Sequence, residues 1–523
     1  MTRTLKETVF SGSDTPKVVI VGCGMGGIAA GVKLVKAGIR SFTIFEASEG
    51  IGGTWWDNRY PGAECDVPSY LYSYGFRSNN WTRTHARQPE IQAYLEDVVR
   101  EYDLRKHIQF STPVLEATWN ERTHTYLVST GLGEKSECHV LISAVGLLNQ
   151  PHIPDWPGLT QFTGPTFHSS QWEHDHDLSG KRVAVVGTGS TAVQIVAELA
   201  PVVETLLVFQ REPGWILPKD ARDYTTEERQ KLARWSRRVL ARTTLIYRNE
   251  KGLWRGTVFH PGSALSEAGE RRARQFIESE LSDRPELASA VTPSYPYPGK
   301  RPVFHSSFYA TLRRDNVKLI PRAVTALTAT EIVDSSGCRH PIDLLVLATG
   351  FHAARYLPKL CVRGVSGATL QETWAGDPAA FLGLTVPGFP NFFMLYGPNT
   401  NGGEIIFVLE RGAEYAVRAI KKLIRRRSTA IDVKRSWYLR YNRWLQSKLE
   451  GTSWTMSRNY FTSESGRVVT QWPFGALFYG LLTKALGPFS ERTRSIEGAG
   501  PRKRSAPGNM KHRLRPMPDA SND

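Results

Sequence analysis

Two segments of the chain repeat the same order of apolar and polar positions. Each begins with a run of β-branched apolar residues, as expected for a parallel strand buried on both faces, and then turns through glycines into an amphipathic helix. The first begins at Lys17 and the second at Lys181, and a further apolar strand follows each helix. This order is typical of the βαβ unit that binds a dinucleotide. The sequence therefore predicts an α/β protein with two Rossmann-like dinucleotide-binding domains.

The pattern changes between Asp220 and about Pro293, where charged, arginine-rich stretches with helical periodicity predict a helical insert. A hairpin-like stretch that ends in a buried strand follows it. The predicted division of the chain is 1–150 and 344–499 for the first domain, with substrate-pocket loops in its second part, 151–220 and 294–343 for the second domain, 221–293 for the insert, and 500–523 for a basic tail with a disordered composition.

The glycine loop of the first unit has the spacing GxGxxG. Gly22 permits a tight turn, Gly24 lets the backbone approach a diphosphate, and Gly27 lets the helix pack on the strand. Glu46 ends the next strand, where a carboxylate accepts hydrogen bonds from both ribose hydroxyls and repels a 2′-phosphate. The alternative is a plain glycine-rich turn, but strand, helix and acidic residue together favour FAD or NAD at this site.

The second unit has Gly187, Gly189 and Ser190 in the corresponding loop. Its next strand ends at Arg211 instead of at a carboxylate, and a guanidinium there matches the oxygens of a 2′-phosphate. The alternative is a solvated surface arginine. The contrast with Glu46 predicts NADPH at the second site and leaves FAD for the first.

Composition narrows the class of protein. The formal charge is +16, but much of the basic charge falls in the helical middle region and in the tail, where a nucleic-acid surface would need it on one face interleaved with aromatic residues, so no nucleic-acid partner is predicted. Five scattered cysteines without a CxxC pair disfavour a disulfide framework, a zinc site and a disulfide reductase, and they favour a reducing cytoplasm. Neither a secretory signal nor a run of about 18 apolar residues is apparent, so no membrane span is predicted.

Four further segments resemble the Baeyer–Villiger monooxygenases, in that family's order and over most of the chain. They are the stretch from Gly52 to Phe76, the FxGxxxHxxxW pattern of Phe162, Gly164, His168 and Trp172, the segment PGKRP around Lys300 and Arg301, and LATGF at Leu347–Phe351. The position after Trp172, usually Pro or Asp in the family, is Glu173 here. Related flavin-containing monooxygenases usually lack the tryptophan of this pattern.

The resemblance implies an enzyme that uses FAD, NADPH and O2 to convert a ketone to an ester or lactone through a flavin peroxide. Arg301 matches the family's arginine that stabilises the developing oxyanion, and Asp66 matches its partner carboxylate. Arginine suits this role because it stays charged and has several donors in fixed geometry. The alternative for the two residues is a buried structural ion pair.

The resemblance also implies roles for residues around the cofactors. Lys300 would reach the 2′-phosphate beside Arg211, the alternative being a surface lysine, and His168 would act in conformational change more than in proton transfer. Further residues expected near the cofactors are Gly53, Thr54, Trp55, Asp57 and Tyr60, although Trp55 and Trp56 are equally compatible with plain core packing.

Two segments depart from the family. Asn459, Tyr460 and Phe461 stand where the family often has a tryptophan near the nicotinamide ribose, and the predicted pocket loop, Tyr396–Glu410, contains an unusual charge at Glu404. The sequence favours a bulky, apolar ketone and leaves its identity, the migrating carbon and the oligomeric state open. A flavin-containing monooxygenase acting on nitrogen or sulfur is the alternative enzyme, and a non-catalytic flavin-bound redox sensor is the alternative of another class.

Overall fold

The computed structural model of the protein describes residues 15–253, 256–457 and 459–495, so the predicted basic tail lies outside the described residues. In these ranges the strands are β1 (Val18–Val21), β2 (Phe42–Phe45), β3 (Ile108–Gln109), β4 (Val114–Asn120), β5 (Thr125–Thr130), β6 (Lys135–Cys138), β7 (Val140–Ser143), β8 (Thr166–His168), β9 (Arg182–Val186), β10 (Thr205–Phe209), β11 (Ile216–Leu217), β12 (Val303–Phe304), β13 (Val317–Ile320), β14 (Val324–Leu327), β15 (Glu331–Asp334), β16 (Arg339–Pro341), β17 (Leu344–Leu347), β18 (Cys361–Arg363), β19 (Phe392–Met394), β20 (Ala430–Val433) and β21 (Glu491–Arg494). The helices are α1 (Met25–Lys36), α2 (Thr54–Asp57), α3 (Gln88–Glu101), α4 (Ser190–Leu199), α5 (Thr226–Ala233), α6 (Trp235–Leu253), α7 (Ala264–Leu281), α8 (Pro285–Val291), α9 (Phe308–Leu312), α10 (Leu370–Trp374), α11 (Ile405–Arg426), α12 (Arg435–Leu449) and α13 (Ala476–Ser490).

The first sheet is parallel throughout, with strand order β19-β7-β1-β2-β3. Its central strand β1 is buried on both faces, as its unbroken apolar run predicts. Val18 and Ile20 enter a core shared with α1, α3 and α11, whereas Val19 and Val21 enter a second core with the β4-β5-β6 sheet. The side-chain period of two along a strand explains this alternation.

The second sheet is also parallel and has the order β13-β10-β9-β17-β8. Val183 and Val185 of β9 pack with α4 and α9, and Ala184 and Val186 pack with the antiparallel β14-β15-β16 sheet on the other face. This sheet extends a few residues past the predicted domain boundary at 344. Strand β17 pairs with β8 and β9, because its apolar run completes this sheet before the chain returns to the first domain.

The predicted helical insert contains α5, α6, α7 and α8, and it contacts both domains. Leu232 and Leu245, on α5 and α6, pack against the core of the first domain, whereas Phe276 and Ile277 on α7 enter the core of the second. The insert therefore spans the two domains. No helix in the described part of the chain is long and apolar enough to cross a bilayer.

The chain crosses between the domains twice, and the two crossings lie side by side. Pro151 and Phe351 form an antiparallel bridge, and the His152 N–H donates to the Gly350 carbonyl at 2.8 Å. The predicted pocket loop that follows is shorter than expected, because α11 begins at Ile405. Its buried residues recur at helical spacing, so only the part up to Glu404 remains a loop.

Candidate active site

The loop between β1 and α1 has glycines because larger residues would collide there. Gly22 has a φ of +98°, and a Cβ on it would lie 2.8 Å from the Ala144 carbonyl oxygen. A Cβ on Gly27 would lie 1.9 Å from the Gly22 carbonyl oxygen, so only glycine lets α1 approach β1 this closely. Gly24 is the N-cap of α1, where the backbone is extended.

A second pair of glycines packs on this loop. Gly52 forms a parallel bridge with Gly24, and its N–H donates to the Cys23 carbonyl at 3.0 Å. A Cβ on Gly53 would lie 3.1 Å from the Gly24 Cα. Together the two loops form a backbone surface free of side chains at the N-terminus of α1.

Glu46 follows strand β2 and hydrogen-bonds to the first glycine loop. The carboxylate is buried at 6 % exposure, and it accepts hydrogen bonds from the Cys23 N–H at 2.6 Å and the Ser48 N–H at 2.8 Å. A carboxylate has about four lone-pair positions, so acceptor capacity remains after these two bonds. Glu46 thus fixes the loop and still offers acceptors for hydroxyl groups such as those of a ribose.

Both glycine loops lead into helices whose N-termini suit a phosphate. Neither α1 nor α4 has a side-chain cap or an acidic residue in its first turn. The first N–H groups of a helix have no partner within it, and the helix dipole favours an anion there. These two N-termini, with their bare glycine backbones, fit the diphosphates of two dinucleotides.

The second loop repeats the geometry of the first. Gly187 has a φ of +121°, and a Cβ on it would lie 2.4 Å from the Ala348 carbonyl oxygen. Gly189 is the N-cap of α4 and faces open space, and Ser190 begins the helix. The backbone at Gly189 is therefore accessible to a diphosphate.

The strand end next to this loop has two cations. Arg211 is exposed just after β10, and within the described ranges its side chain has no hydrogen bond or ion pair. Lys300 pairs with Glu212, and its Nζ lies 5.0 Å from the centroid of the Tyr295 ring. The ion pair places Lys300 beside the residue that follows Arg211, so both cations lie at the same edge of the second sheet.

Arg301 forms an ion pair with Asp66 that joins the two domains. The Arg301 Nη2 lies 3.2 Å from the Asp66 Oδ2. The Asp66 side chain is 7 % exposed, whereas that of Arg301 is 48 % exposed, so the arginine remains half open to solvent while it pairs with a buried carboxylate. Burial lowers the pKa of Arg301, but Asp66 and the nearby rings of Tyr460 and Tyr396 raise it, and the net pKa lies above its usual value. The cation is permanent at any working pH.

Asp66 belongs to a larger buried charge network that the sequence did not indicate. The Lys219 Nζ lies 2.7 Å from Glu64 Oε1 and 3.7 Å from Asp66 Oδ1, and its side chain is almost fully buried. Burial, with a further contribution from the Lys219 charge, lowers the pKa of His305 to about 4, so this neighbour is neutral. Lys219 lies in a loop with no motif, and only its burial reveals it.

Tyr60 connects the first domain to α4 of the second. Its hydroxyl donates to Gln194 Oε1 at 3.0 Å, and the Gln194 amide donates to the Glu64 carbonyl at 2.9 Å. Burial raises the pKa of Tyr60 to about 12, so the hydroxyl keeps its proton. Tyr60, predicted to bind a cofactor, thus has an interdomain contact that the sequence did not suggest.

Helix α2 follows Gly53 and includes Thr54, Trp55 and Asp57. Trp55 is buried, and its ring N–H donates to the Tyr72 hydroxyl at 2.9 Å. Its side chain belongs to the first core, so core packing, one of the two alternatives for this residue, is present in the structure. Burial and the nearby Glu46 carboxylate raise the pKa of Asp57 to about 6. Asp57 is the last residue of this short helix.

His168 is held by the backbone at the domain crossing. Its Nδ1 accepts from the Ser170 N–H at 3.2 Å, so its Nε2 carries the proton and donates to the Gly350 carbonyl at 3.0 Å. Burial lowers the pKa of His168 to about 4, which keeps the ring neutral. A neutral ring with both nitrogens occupied is compatible with the conformational role that the resemblance implies.

The other residues of the FxGxxxHxxxW pattern pack the second domain. Phe162 and Trp172 are buried, and Trp172 packs edge-on against Phe167 at 5.0 Å. A Cβ on Gly164 would lie 2.4 Å from the Asp343 carbonyl oxygen, so the glycine is required by close packing. Glu173 pairs with His176 at the surface.

The two departures from the family pattern lie in different surroundings. Asn459 donates to the Gly299 carbonyl at 3.2 Å and so ties its segment to the one that carries Arg301. Glu404 is buried, and its Oε1 has no hydrogen-bond partner among the described residues. Burial raises the pKa of Glu404 to about 7, although the nearby Arg242 lowers it.

Family profiles and individual relatives both match this sequence. A profile described as flavin-binding monooxygenase-like matches residues 69–247, and one for an NAD(P)-binding Rossmann-like domain matches residues 20–89. A Baeyer–Villiger monooxygenase of Pseudomonas aeruginosa is 36% identical over 496 residues, covering 91% of this chain and 94% of the relative. Another, of Streptomyces coelicolor, is 35% identical and covers 87% of this chain and 88% of the relative.

Solved structures superpose on nearly the same share of this chain. Cyclohexanone monooxygenase from Rhodococcus sp. Phi1 bound to NADP+ superposes with a TM-score of 0.84 at 29% identity, covering 92% of this chain and 99% of that one. Oxidized steroid monooxygenase bound to NADP superposes with a TM-score of 0.83, also at 29% identity, covering 92% of this chain and 100% of that one.

Proposed function

The chain belongs to the Baeyer–Villiger monooxygenases, and from this membership we propose that it uses FAD, NADPH and O2 to convert a ketone to an ester or lactone. The observation that carries the proposal is Arg301, a permanent cation that is half open to solvent and is held across the two domains by Asp66. The two glycine loops are the proposed dinucleotide sites of the two domains that this ion pair joins.

FAD is assigned to the first loop. Gly22, Gly24 and Gly53 leave the backbone bare for its diphosphate, and the N-terminus of α1 supplies N–H donors. Glu46 retains acceptor capacity for ribose hydroxyls. When bound, FAD takes a hydride from NADPH and activates O2 for transfer of one oxygen atom.

NADPH is assigned to the second loop. Gly187, Gly189 and Ser190 lead into the uncapped N-terminus of α4, which suits the diphosphate. Arg211 is exposed and has no partner within the described ranges, so its donors are available to a 2′-phosphate. Lys300 lies beside it and must release Glu212 to bind the same phosphate.

Arg301 is the proposed catalytic residue and Asp66 its positioning residue. Addition of a nucleophile to a ketone places negative charge on the carbonyl oxygen, and a fixed cation beside that oxygen lowers the barrier. Of the five N–H donors of a guanidinium, one hydrogen bond goes to Asp66, and the side chain stays half open to solvent. Nitrogen or sulfur oxidation forms no such oxyanion and has no need of this arginine.

The substrate is proposed to be a bulky, apolar ketone. Tyr460 is 42 % exposed and its ring lies 4.4 Å from that of Phe461, in the segment that Asn459 ties to Gly299, two residues before Arg301. Exposed aromatic surface near the proposed catalytic arginine favours apolar substrate surface.

A substrate panel tests the proposal. The purified enzyme is supplied with NADPH and, separately, with aryl, cyclic and linear ketones and with an amine and a sulfide of matched size, and products are identified by mass. We expect at least one ketone to gain a single oxygen atom as an ester or lactone. Oxidation of the amine or sulfide alone would favour the alternative enzyme, and NADPH oxidation that no substrate affects would favour the redox sensor.

A further inference from the structure

Helix α6 exposes an unusual number of large apolar side chains. Trp235 is 72% exposed, Tyr247 66%, Leu240 58% and Val239 44%. Single exposed apolar residues are ordinary, but four on one 19-residue helix make an apolar patch. No described residue covers this patch, which we call the α6 face.

The apolar residues of the α6 face occupy two adjoining sides of the helix. Leu240 and Tyr247 stand at i and i+7 and form an apolar row along one side, and Trp235 and Val239, at i and i+4, lie on the adjoining side nearer the N-terminus. The inner side of the helix does the packing: Leu245 contacts the first core, and Arg242 donates to the Ser73 carbonyl at 2.9 Å. The α6 face is therefore not required to hold the helix in place.

Basic residues accompany the α6 face. The helix has five cations and one acid. The cations are Arg237, Arg238, Arg242, Arg248 and Lys251. The acid, Glu250, is buried and accepts from the Ala476 N–H at 2.7 Å at the start of α13. Arg237 and Arg248 are exposed at the edge of the apolar row, so the surface that α6 presents to a partner is apolar and positive.

The same region extends onto α13. The Leu477 N–H lies 3.3 Å from Glu250, so the first turn of α13 adjoins the last turn of α6. Leu477 is 38% exposed and Leu481 57%. The exposed apolar surface therefore continues from one helix to the next.

We propose that the α6 face, continued by Leu477 and Leu481, docks peripherally on an anionic lipid bilayer. Tryptophan and tyrosine favour the interface of a bilayer, leucine and valine enter its apolar layer, and arginines beside them attract anionic headgroups. A second copy of the chain fits less well, because two α6 faces would bring arginines together without an exposed acid on either helix. A nucleic acid also fits less well, because its charged backbone would not bury the leucine and valine side chains.

Vesicle co-sedimentation tests this proposal without reference to catalysis. The full chain is mixed with vesicles of phosphatidylcholine and phosphatidylglycerol in equal parts, and with vesicles of phosphatidylcholine alone. We expect binding to the anionic vesicles that weakens as salt is raised. The double variant Trp235→Ser/Leu240→Ser and the double variant Arg237→Gln/Arg248→Gln should each bind about tenfold more weakly, or worse.

Matched controls separate this surface from the rest of the chain. Leu115 on β4 and Leu132 in the turn between β5 and β6 are exposed at 50% and 62%, so Leu115→Ser/Leu132→Ser should bind as the wild type does. All variants should oxidise NADPH with a water-soluble ketone within about twofold of the wild type, since none of these residues lies in the proposed site. Unchanged vesicle binding by both α6 variants would overturn the proposal and assign any binding to another part of the chain. Absence of vesicle binding by the wild type would overturn it as well, and so would a dimer in size-exclusion chromatography that the Trp235→Ser/Leu240→Ser variant converts to a monomer.

Discussion

At the residue scale, Arg301 combines a permanent charge with donors that face open space. Its partner Asp66 is buried and is supported from the other side by Lys219, which itself pairs with Glu64. The carboxylate is therefore fixed before any substrate arrives. A fixed charge requires no reorganisation during the reaction, which is the basis of electrostatic catalysis.

Replacing Arg301 by alanine should separate oxygenation from NADPH oxidation. We expect ester formation to fall on the order of 10²–10³-fold, because one well-placed oxyanion donor is lost. FAD and NADPH should still bind, and the NADPH that is consumed should appear as hydrogen peroxide. Product, peroxide and NADPH are measured together, with Arg314→Ala as a control at an exposed arginine of the same domain. A normal ester yield from the Arg301→Ala variant would show that another group stabilises the adduct.

Glu404 should make the stability of the protein depend on pH. Burial raises the pKa of its carboxyl from 4.5 to about 7, so the unfolded chain ionises before the folded one does. The folded state therefore loses stability as pH rises from about 4.5 to about 7, by up to roughly 3 kcal/mol, and loses no more above that range. Glu404→Gln keeps the shape without the charge and should remove this loss. Urea denaturation at pH 5 and pH 8 measures it, and Glu134→Gln, at an exposed position, is the control. A variant with the wild-type pH dependence would show that Glu404 does not titrate in this range.

At the element scale, each glycine loop connects a strand to a helix and provides the backbone of a proposed phosphate site. The spacing of the glycines and the runs of β-branched residues were sufficient to predict both βαβ units and the helix N-termini, because these are local properties of the chain. The pairing of β17 with the second sheet and the start of α11 at Ile405 were not predicted. Both depend on packing between residues that are far apart in sequence.

Substitution of Gly27 by alanine should disrupt the first loop. The new Cβ would lie 1.9 Å from the Gly22 carbonyl oxygen, so α1 must move away from β1. We expect a loss of roughly 1–3 kcal/mol in stability and a marked loss of bound flavin, seen in the absorbance spectrum after gel filtration. Gly252→Ala is the control, because a Cβ there meets open space. Full flavin content in Gly27→Ala would contradict the assignment of this loop.

The end of β10 should determine the choice of nicotinamide cofactor. Arg211→Ala removes a charge-assisted contact to the 2′-phosphate, worth roughly 1.5–3 kcal/mol, and should reduce the preference for NADPH over NADH about tenfold or more. The ratio of kcat/KM for the two cofactors is the measurement. Lys318→Ala, at an exposed position of the neighbouring strand β13, should leave the ratio unchanged. If Arg211→Ala keeps the wild-type ratio, Lys300 becomes the better candidate.

At the scale of the whole molecule, the site exists only because the two domains meet. Asp66 comes from the first domain and Arg301 from the second, and the contact of Tyr60 with Gln194 lies between the same domains. The Arg301–Asp66 pair followed from the family resemblance, since nothing in the local sequence around either residue predicts the other. Lys219 and the α6 face could not be predicted at all, because burial and exposure depend on packing.

The most direct test of the account is the source of the oxygen atom in the product. A ketone identified by the substrate panel is turned over with NADPH under ¹⁸O2 in unlabelled water, and the ester and the NADPH consumed are quantified together. We expect one ¹⁸O atom in each ester molecule and one NADPH consumed for each ester formed. An ester without label, or NADPH oxidation that yields hydrogen peroxide at the same rate with and without ketone, would contradict it.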